Sequence, residues 1–172
     1  MKYTRFEDLP VWKAALELAV RVYGLTAQKP FKAHPRLRDQ IEAASLSVSN
    51  NIAEGFERGT TSELLSFLYI ARGSAGETRS MLLFTLRLSD FDDFKSEISD
   101  LRSLAESISR QLRAWADSLQ NSSIRGQRYL TEKTRRADNS ARERQEFLDM
   151  LRREQEERLA RLEEERLAKQ MD

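Results

Sequence analysis

The chain has 172 residues, of which 40% are hydrophobic and 33% charged, and its 29 lysines and arginines nearly balance 28 acidic residues. This length and composition suit one domain with a core plus an appendage of exposed helix. The absence of cysteine excludes disulfides and cysteine-ligated zinc. No apolar run approaches the roughly 20 residues that span a bilayer, and no signal-peptide pattern follows Met1. We therefore expect a cytoplasmic protein without membrane contact.

The first predicted helix starts after Asp8, which we expect to cap it, with Pro10 in its first turn. Two neighbouring apolar stripes at helical spacing make a wide face. The stripes are Trp12, Leu16, Ala19 and Tyr23, and Val11, Ala15, Leu18, Val22 and Leu25. Residues 28–35, rich in lysine and proline, form a connection that contains His34, the single histidine.

The second and third predicted helices are separated by Gly59 and Thr60. Gly59 is expected after the end of the second helix, in left-handed backbone, and Thr60 with Glu63 forms a capping box for the third. The second helix presents Leu37, Ile41, Ala44, Val48, Ile52 and Gly55, and the third presents Leu64, Leu68, Ala71, Ala75, Thr78, Leu82 and Leu86. The near-heptad steps predict shallow, nearly antiparallel packing.

The fourth predicted helix is capped by Asp92 or Asp93. Its apolar stripe is Phe94, Ile98, Leu101, Ala105, Ile108, Leu112, Trp115 and Leu119. Four helices of similar length with short connections predict an all-α, antiparallel up-down-up-down four-helix bundle over residues 1–124.

The remaining chain has a different composition. Residues 125–139 are polar and basic and are predicted to be a linker, whereas residues 140–172 are dominated by Glu, Arg, Leu and Ala and predict a charged C-terminal helix. The apolar stripe of that helix is thin, which suits either a weak coiled coil or a solvated helix with i,i+4 Glu–Arg pairs.

Nothing in the sequence indicates catalysis. The chain has no histidine pair, no Glu-x-x-His motif and no cysteine nucleophile, so we expect no enzyme activity, metal or cofactor. The run Gly73-Ser74-Ala75-Gly76 lacks the lysine of a phosphate loop and favours close approach of helices. His34 is interpreted as an ordinary loop residue.

Polar residues beside the apolar stripes are a second kind of candidate. Asn51 and Glu54 flank the stripe of the second helix, while Arg72 and Arg79 flank that of the third. We expect Glu54 to meet Arg72 across a helix pair. A structural role in fixing register between helices or subunits is favoured over direct contact with a ligand.

Three segments resemble one known family. They are Phe6 to Trp12 (FEDLPVW), Gln40-Ile41 through Asn51 to Arg58 (NIAEGFER), and Phe67 to Ser74 (FLYIARGS) with Glu77. In this order they resemble the 23S rRNA intervening-sequence proteins, which are similar in fold to the accessory variability determinant of diversity-generating retroelements. The resemblance covers about residues 5–120, and residues 125–172 extend beyond it.

The resemblance implies a ring-like homopentamer of up-down bundles. It also implies association with RNA, or with a reverse transcriptase and its RNA. Apolar residues off the main stripe of the third helix, such as Ile70 and Phe84, would be exposed in a monomer, which independently favours burial by other copies.

The expected nucleic-acid surface is the bundle end where the first helix begins and the fourth ends. The residues assigned to it are Lys2, Arg5, Arg58, Arg125, Arg128, Tyr129, Lys133, Arg135 and Arg136. Tyr129 is placed to stack on a base. The basic connection at the other end should lie beside Asp90, Asp92 and Asp93, which would neutralise it. The alternative to RNA binding is an assembly adaptor whose C-terminal helix docks a protein.

Overall fold

The structure is a computed structural model that describes residues 3–121, 140, 143–153 and 155–156. Every regular element in these residues is a helix, which confirms the all-α class. Two 3-10 turns, Phe6–Asp8 and Ser89–Phe94, precede α1 and α5. The α-helices are α1 (Pro10–Thr26), the short α2 (Lys29–Lys32), α3 (Pro35–Glu57), α4 (Thr61–Thr85) and α5 (Lys95–Gln120).

The predicted stripes of α3, α4 and α5 form the core. Their central members, among them Ile41, Leu68 and Ile108, are fully buried. In α1 the stripe of Val11, Ala15, Leu18, Val22 and Leu25 is buried, whereas Ala19 is the one buried member of the other stripe. Leu16 and Tyr23 of the other stripe remain 39% and 45% exposed, so the expectation of one wide buried face was wrong for α1. A helix in contact with two neighbours buries only part of its circumference.

Each long helix packs against two others, in the cyclic order α1, α3, α4, α5. Side-chain contacts link the helices near their ends: Thr26 of α1 donates to the Glu42 carboxylate of α3. The Gln120 amide of α5 donates to the Tyr69 hydroxyl of α4 at 2.6 Å. Each contact joins the last part of one helix to the first part of the other.

Gly55 allows α3 and α4 to approach closely. A Cβ atom built at Gly55 would lie 2.6 Å from the Cβ of Phe67, closer than real Cβ contacts come. Since the neighbouring atom is near the α4 backbone, it cannot move away easily. Gly55, in the buried stripe of α3, therefore sets the distance between α3 and α4.

The helix ends agree with the sequence only in part. Thr60 caps α4 as expected: its hydroxyl accepts from the Glu63 N–H at 3.2 Å. Asp8 does not cap α1, because it lies in the preceding 3-10 turn and Leu9 occupies the cap position. The same holds for α5, which has Phe94 at its cap. Gly59 follows α3 as predicted, but without the left-handed φ.

Aromatic residues close one end of the helices. Phe31 and Phe91 are both fully buried and meet edge to face, with ring centroids 4.7 Å apart. The His34 ring lies 5.6 Å from that of Phe91. Thus the connection before α3 and the turn before α5 lie together, as predicted from the short connections.

The chain divides into two compact units, residues 1–128 and 129–172. In the second unit, residues 143–153 are helical, and Phe147, Leu148 and Leu151 are exposed on them. No helix among the described residues is both long and apolar enough to cross a membrane.

Candidate nucleic-acid interface

A row of polar side chains follows the contact between α3 and α4. The Ser47 and Ser74 hydroxyls are 3.1 Å apart across the two helices. The Asn51 amide donates to the carbonyl oxygen of Ser47 at 2.7 Å and to its hydroxyl at 2.9 Å. Asn51 therefore orients the serine pair that links the helices.

Glu54 does not meet Arg72. Its carboxylate accepts instead from Arg58, one turn later on α3, at 2.6 Å. The expected contact fails because Ser74 and Phe67 mark the flank of α4 that faces α3, whereas Arg72 lies on the other flank, with Tyr69. The prediction used spacing along each helix, which does not identify the flank.

Arg58 is held by several groups at once. It also approaches Glu63 of α4 at 3.5 Å, and its guanidinium lies 5.1 Å from the centre of the Phe67 ring. The hydrogen bond from Arg58 to Glu54 raises the pKa of the guanidinium. An arginine engaged in this way must exchange existing contacts to bind a phosphate, which weakens its assignment to the nucleic-acid surface.

Arg5 is engaged as well, since it donates to the Glu7 carboxylate at 2.7 Å. This hydrogen bond raises the pKa of Arg5 and lowers that of Glu7. The other residues predicted for the basic end lie outside the described residues. They are Lys2, Arg125, Arg128, Tyr129, Lys133, Arg135 and Arg136.

The flank of α4 that faces α5 carries two arginines whose surroundings differ from those of Arg5 and Arg58. Arg72 and Arg79 are partly buried beside α5, and neither forms an ion pair or hydrogen bond with the described part of the chain. Glu77 is exposed on the outward side of the same helix. Tyr69, 43% exposed, lies on the α5 side and bonds Gln120.

The connection before α3 has one acidic neighbour of the kind predicted, since His34 Nε2 lies 3.4 Å from the Asp90 carboxylate. Asp92 pairs instead with Lys95, the first residue of α5, at 2.8 Å. Among the described residues, no group of three or more acidic or histidine side chains is arranged to hold a metal ion.

Comparison with known proteins now places the chain in a family. The profile of the 23S rRNA-intervening sequence proteins matches residues 7–114, which is more than half of the chain. The chain belongs to this family. The match spans α1 to most of α5 and leaves out the C-terminal unit.

One solved structure similar to this 23S rRNA-intervening sequence protein comes from Bacteroides thetaiotaomicron. It is described as a protein of unknown function from the S23 ribosomal protein family. The two share 21% sequence identity and a TM-score of 0.55, over 62% of this chain and 97% of the other. The likeness shows the helical fold. No curated protein matches the chain.

The motifs of the family resemblance meet in the structure. Gly55 and Arg58 of the second motif both contact Phe67 of the third. Sequence reasoning missed two residues of the α4–α5 contact, Tyr69 and Arg102. The signal that would have found them is helical position, because Arg102 lies on the same side of α5 as Gln120, about five turns earlier.

Proposed function

We propose that this 23S rRNA-intervening sequence protein is a non-enzymatic, homo-oligomeric RNA-binding accessory protein of a cytoplasmic ribonucleoprotein or reverse-transcriptase complex. Its protomer is an up-down-up-down bundle. The cyclic packing order and the contacts between opposite helix ends support antiparallel neighbours. For example, Arg21 near the end of α1 pairs with Glu97 near the start of α5 at 2.9 Å.

The observation that carries the oligomer is a set of large apolar side chains that point away from the core. Val20 is 60% exposed on α1, and Ile70 and Phe84 are 50% and 56% exposed on α4. Contiguous exposed apolar surface on soluble proteins marks interaction sites. Because α1 and α4 are not neighbours in the packing order, the exposed apolar faces of the two helices cannot cover each other within one copy. Faces on opposite sides suit a closed ring, and we propose a pentamer.

RNA as the partner is supported by the description of the family, which connects its members to a sequence inserted in 23S rRNA. Arginines on the folded helices that form no ion pair with the described residues are a second support, since phosphate contacts supply most non-specific affinity for nucleic acid. The basic residues 125–136 remain predicted RNA contacts of the same kind, with a net charge of +4 from five basic side chains and Glu132.

Native mass spectrometry of the full chain, purified with and without nuclease, tests the proposal. We expect five copies of the chain of 20.0 kDa, with nucleic-acid absorbance in the peak before nuclease treatment. A stable monomer at micromolar concentration contradicts the oligomer. A pentamer that fails to bind single-stranded RNA at low salt contradicts the RNA function.

A protein adaptor is the second candidate, favoured by the helix at residues 143–153. Its exposed side chains Phe147, Leu148 and Leu151 form a narrow apolar stripe at helical spacing, of the kind that docks into a groove. A pull-down with the Phe147→Ser/Leu151→Ser variant distinguishes the two. Partner capture that survives nuclease but is lost in this variant supports the adaptor, and capture that requires RNA supports the first proposal.

A further inference from the structure

Three arginines lie along the contact between α4 and α5, which we call the α4–α5 seam and define as Arg72, Arg79 and Arg102. The hydrogen bond from Gln120 to Tyr69 shows which flank of each helix faces the other. Arg72 follows Tyr69 by about one turn, and Arg79 follows Arg72 by about two turns, or ~10 Å. Arg102 lies on the same side of α5 as Gln120, about 27 Å away.

The other flank of α5 confirms this placement of Arg102. Around the axis of α5, Glu97 lies about two-fifths of a turn from Arg102, on the other side of the buried stripe. The Glu97 carboxylate pairs with Arg21 of α1. Arg102 is therefore directed toward α4, away from α1. All three seam arginines are partly buried, so their aliphatic stems pack along the helices and hold the guanidinium groups in place.

Within the described residues, none of the seam arginines has an anionic partner. Carboxylates are present on α5, but Glu106 pairs with Arg110 at 3.0 Å and Asp117 with Arg113 at 3.6 Å. The Nε atom of Arg102 is buried and makes no hydrogen bond. A buried donor without an acceptor is costly, so the contacts that Arg102 makes within the described residues do not satisfy its guanidinium.

An exposed aromatic ring and two glycines, which leave open space on the helix surface, lie near the arginines. Tyr69 lies one turn before Arg72, and Gly73 and Gly76 have no atom within 4 Å of the position a Cβ would take. The glycines leave room for a planar group beside the tyrosine. Rows of cations with an aromatic stacking platform are typical of surfaces that bind single-stranded nucleic acid.

We propose that the α4–α5 seam binds the phosphate backbone of single-stranded RNA, with Tyr69 stacking on a base. This inference rests on the proposed RNA-binding function and deepens it, since it places the main contact on the folded helices. Arginine suits this task because its planar donors bind phosphate oxygens in pairs. An acidic protein segment would satisfy the guanidinium groups equally well but would not use the exposed ring.

The experiment compares full-length variants in binding to a fluorescent single-stranded oligouridine RNA, measured by anisotropy over a range of salt. Arg72→Gln/Arg79→Gln/Arg102→Gln removes the seam charges. The matched control Lys29→Gln/Lys32→Gln/Arg36→Gln removes three exposed charges from α2 and the first turn of α3, none of which forms an ion pair with a described residue. We expect the seam variant to bind at least tenfold more weakly, with a salt slope smaller by about 2, and the control to change less than twofold.

Two single variants test the aromatic contribution apart from folding. Tyr69→Phe and Tyr69→Ala both lose the hydrogen bond from Gln120, but only Tyr69→Phe retains a ring. We expect Tyr69→Phe to bind like the parent and Tyr69→Ala to bind about tenfold more weakly, because stacking on one ring contributes on the order of 1–3 kcal/mol. Circular dichroism and native mass should be unchanged in all variants.

The outcomes separate this inference from the function on which it depends. If the parent protein binds no RNA, both fail. If the parent binds RNA and the seam variant binds equally well, the seam is not the site, and the function stands. If the seam variant loses RNA binding together with its oligomeric mass, the arginines belong to a subunit interface and the inference is overturned. Equal losses in Tyr69→Phe and Tyr69→Ala contradict stacking.

Discussion

The outward faces of α4 and α5 differ, although their inward faces are alike. Both helices bury a row that includes leucine and alanine, but outside the core α5 shows serines and charged residues such as Ser103 and Arg110. On its outward side, α4 shows Ile70 and Phe84 instead. A polar exterior suits permanent contact with water, whereas an apolar one favours a partner. The difference supports the proposal that α4 has a second contact face, on its outward side, and that α5 has one.

The largest expected effects lie on the inward faces, where the two helices should behave alike. Leu68→Ala in α4 and Leu112→Ala in α5 each remove a fully buried side chain. We expect each to lower the free energy of unfolding by about 2–5 kcal/mol, because the transfer energy is lost and a cavity remains. Urea denaturation of both variants, with Ser103→Ala as the control near zero, measures this. A loss below 1 kcal/mol in only one of them would show that the cores are unequal.

Next in size is the association of copies through the outward face of α4. Ile70→Ser/Phe84→Ser should weaken it about 100-fold or more, since burying each such side chain contributes about 1.5–3 kcal/mol. Sedimentation or native mass over a dilution series gives the midpoint of dissociation. The matched α5 variant, Ser103→Ala/Arg110→Gln, should leave the mass unchanged. Dissociation by the α5 variant alone would reverse the roles of the two helices.

A smaller change in stability is expected at Gly73, the exposed glycine of α4. The sign of this change is informative. Gly73→Ala should stabilise the helix by about 1 kcal/mol, because alanine has the higher helix propensity and its Cβ meets no atom within 4 Å. Ala114→Gly on the exposed side of α5 should destabilise by a similar amount. Both changes are read by urea denaturation. If Gly73→Ala also lowers the oligomeric mass, another helix packs closely at this position. A loss of stability without a change of mass would contradict the open surface at Gly73.

Sequence periodicity was sufficient for the fold class and for most of the core. Burial repeats with the helical period, so Leu64, Leu68 and Leu82 were identified correctly on α4. Leu16 and Tyr23 of the second stripe of α1 were misassigned to the core, because periodicity does not state how many neighbours a helix has. Leu16 therefore faces outward.

The candidate sites were less predictable, since they depend on side-chain choice among nearby partners. Arg58 prefers Glu54 on its own helix and Glu63 across the turn, and Arg5 prefers Glu7. Neither preference follows from the distribution of charge along the chain. Arg102 forms no ion pair with a described residue, because Glu106, one turn later on α5, pairs with Arg110 instead, which only three-dimensional positions reveal.

The smallest effect concerns the first turns, where α4 has a side-chain cap and α5 has none. The hydrogen bond from the Thr60 hydroxyl, 2.7 Å long, lowers the pKa of Glu63 below its ordinary value of 4.5. A carboxylate with a depressed pKa in the folded state adds stability above the pKa of the unfolded chain, and this stability is lost as pH falls through the folded value. The gap in stability between the parent and Glu63→Gln should therefore be present at pH 6 and disappear well below pH 4.5. Thermal unfolding at both pH values measures the gap. In a Thr60→Ala background the gap should shrink at pH 6, because the main cause of the shift is gone. A gap that persists at low pH would mean that Glu63 acts through packing, and the cap of α4 would then be no more electrostatic than that of α5.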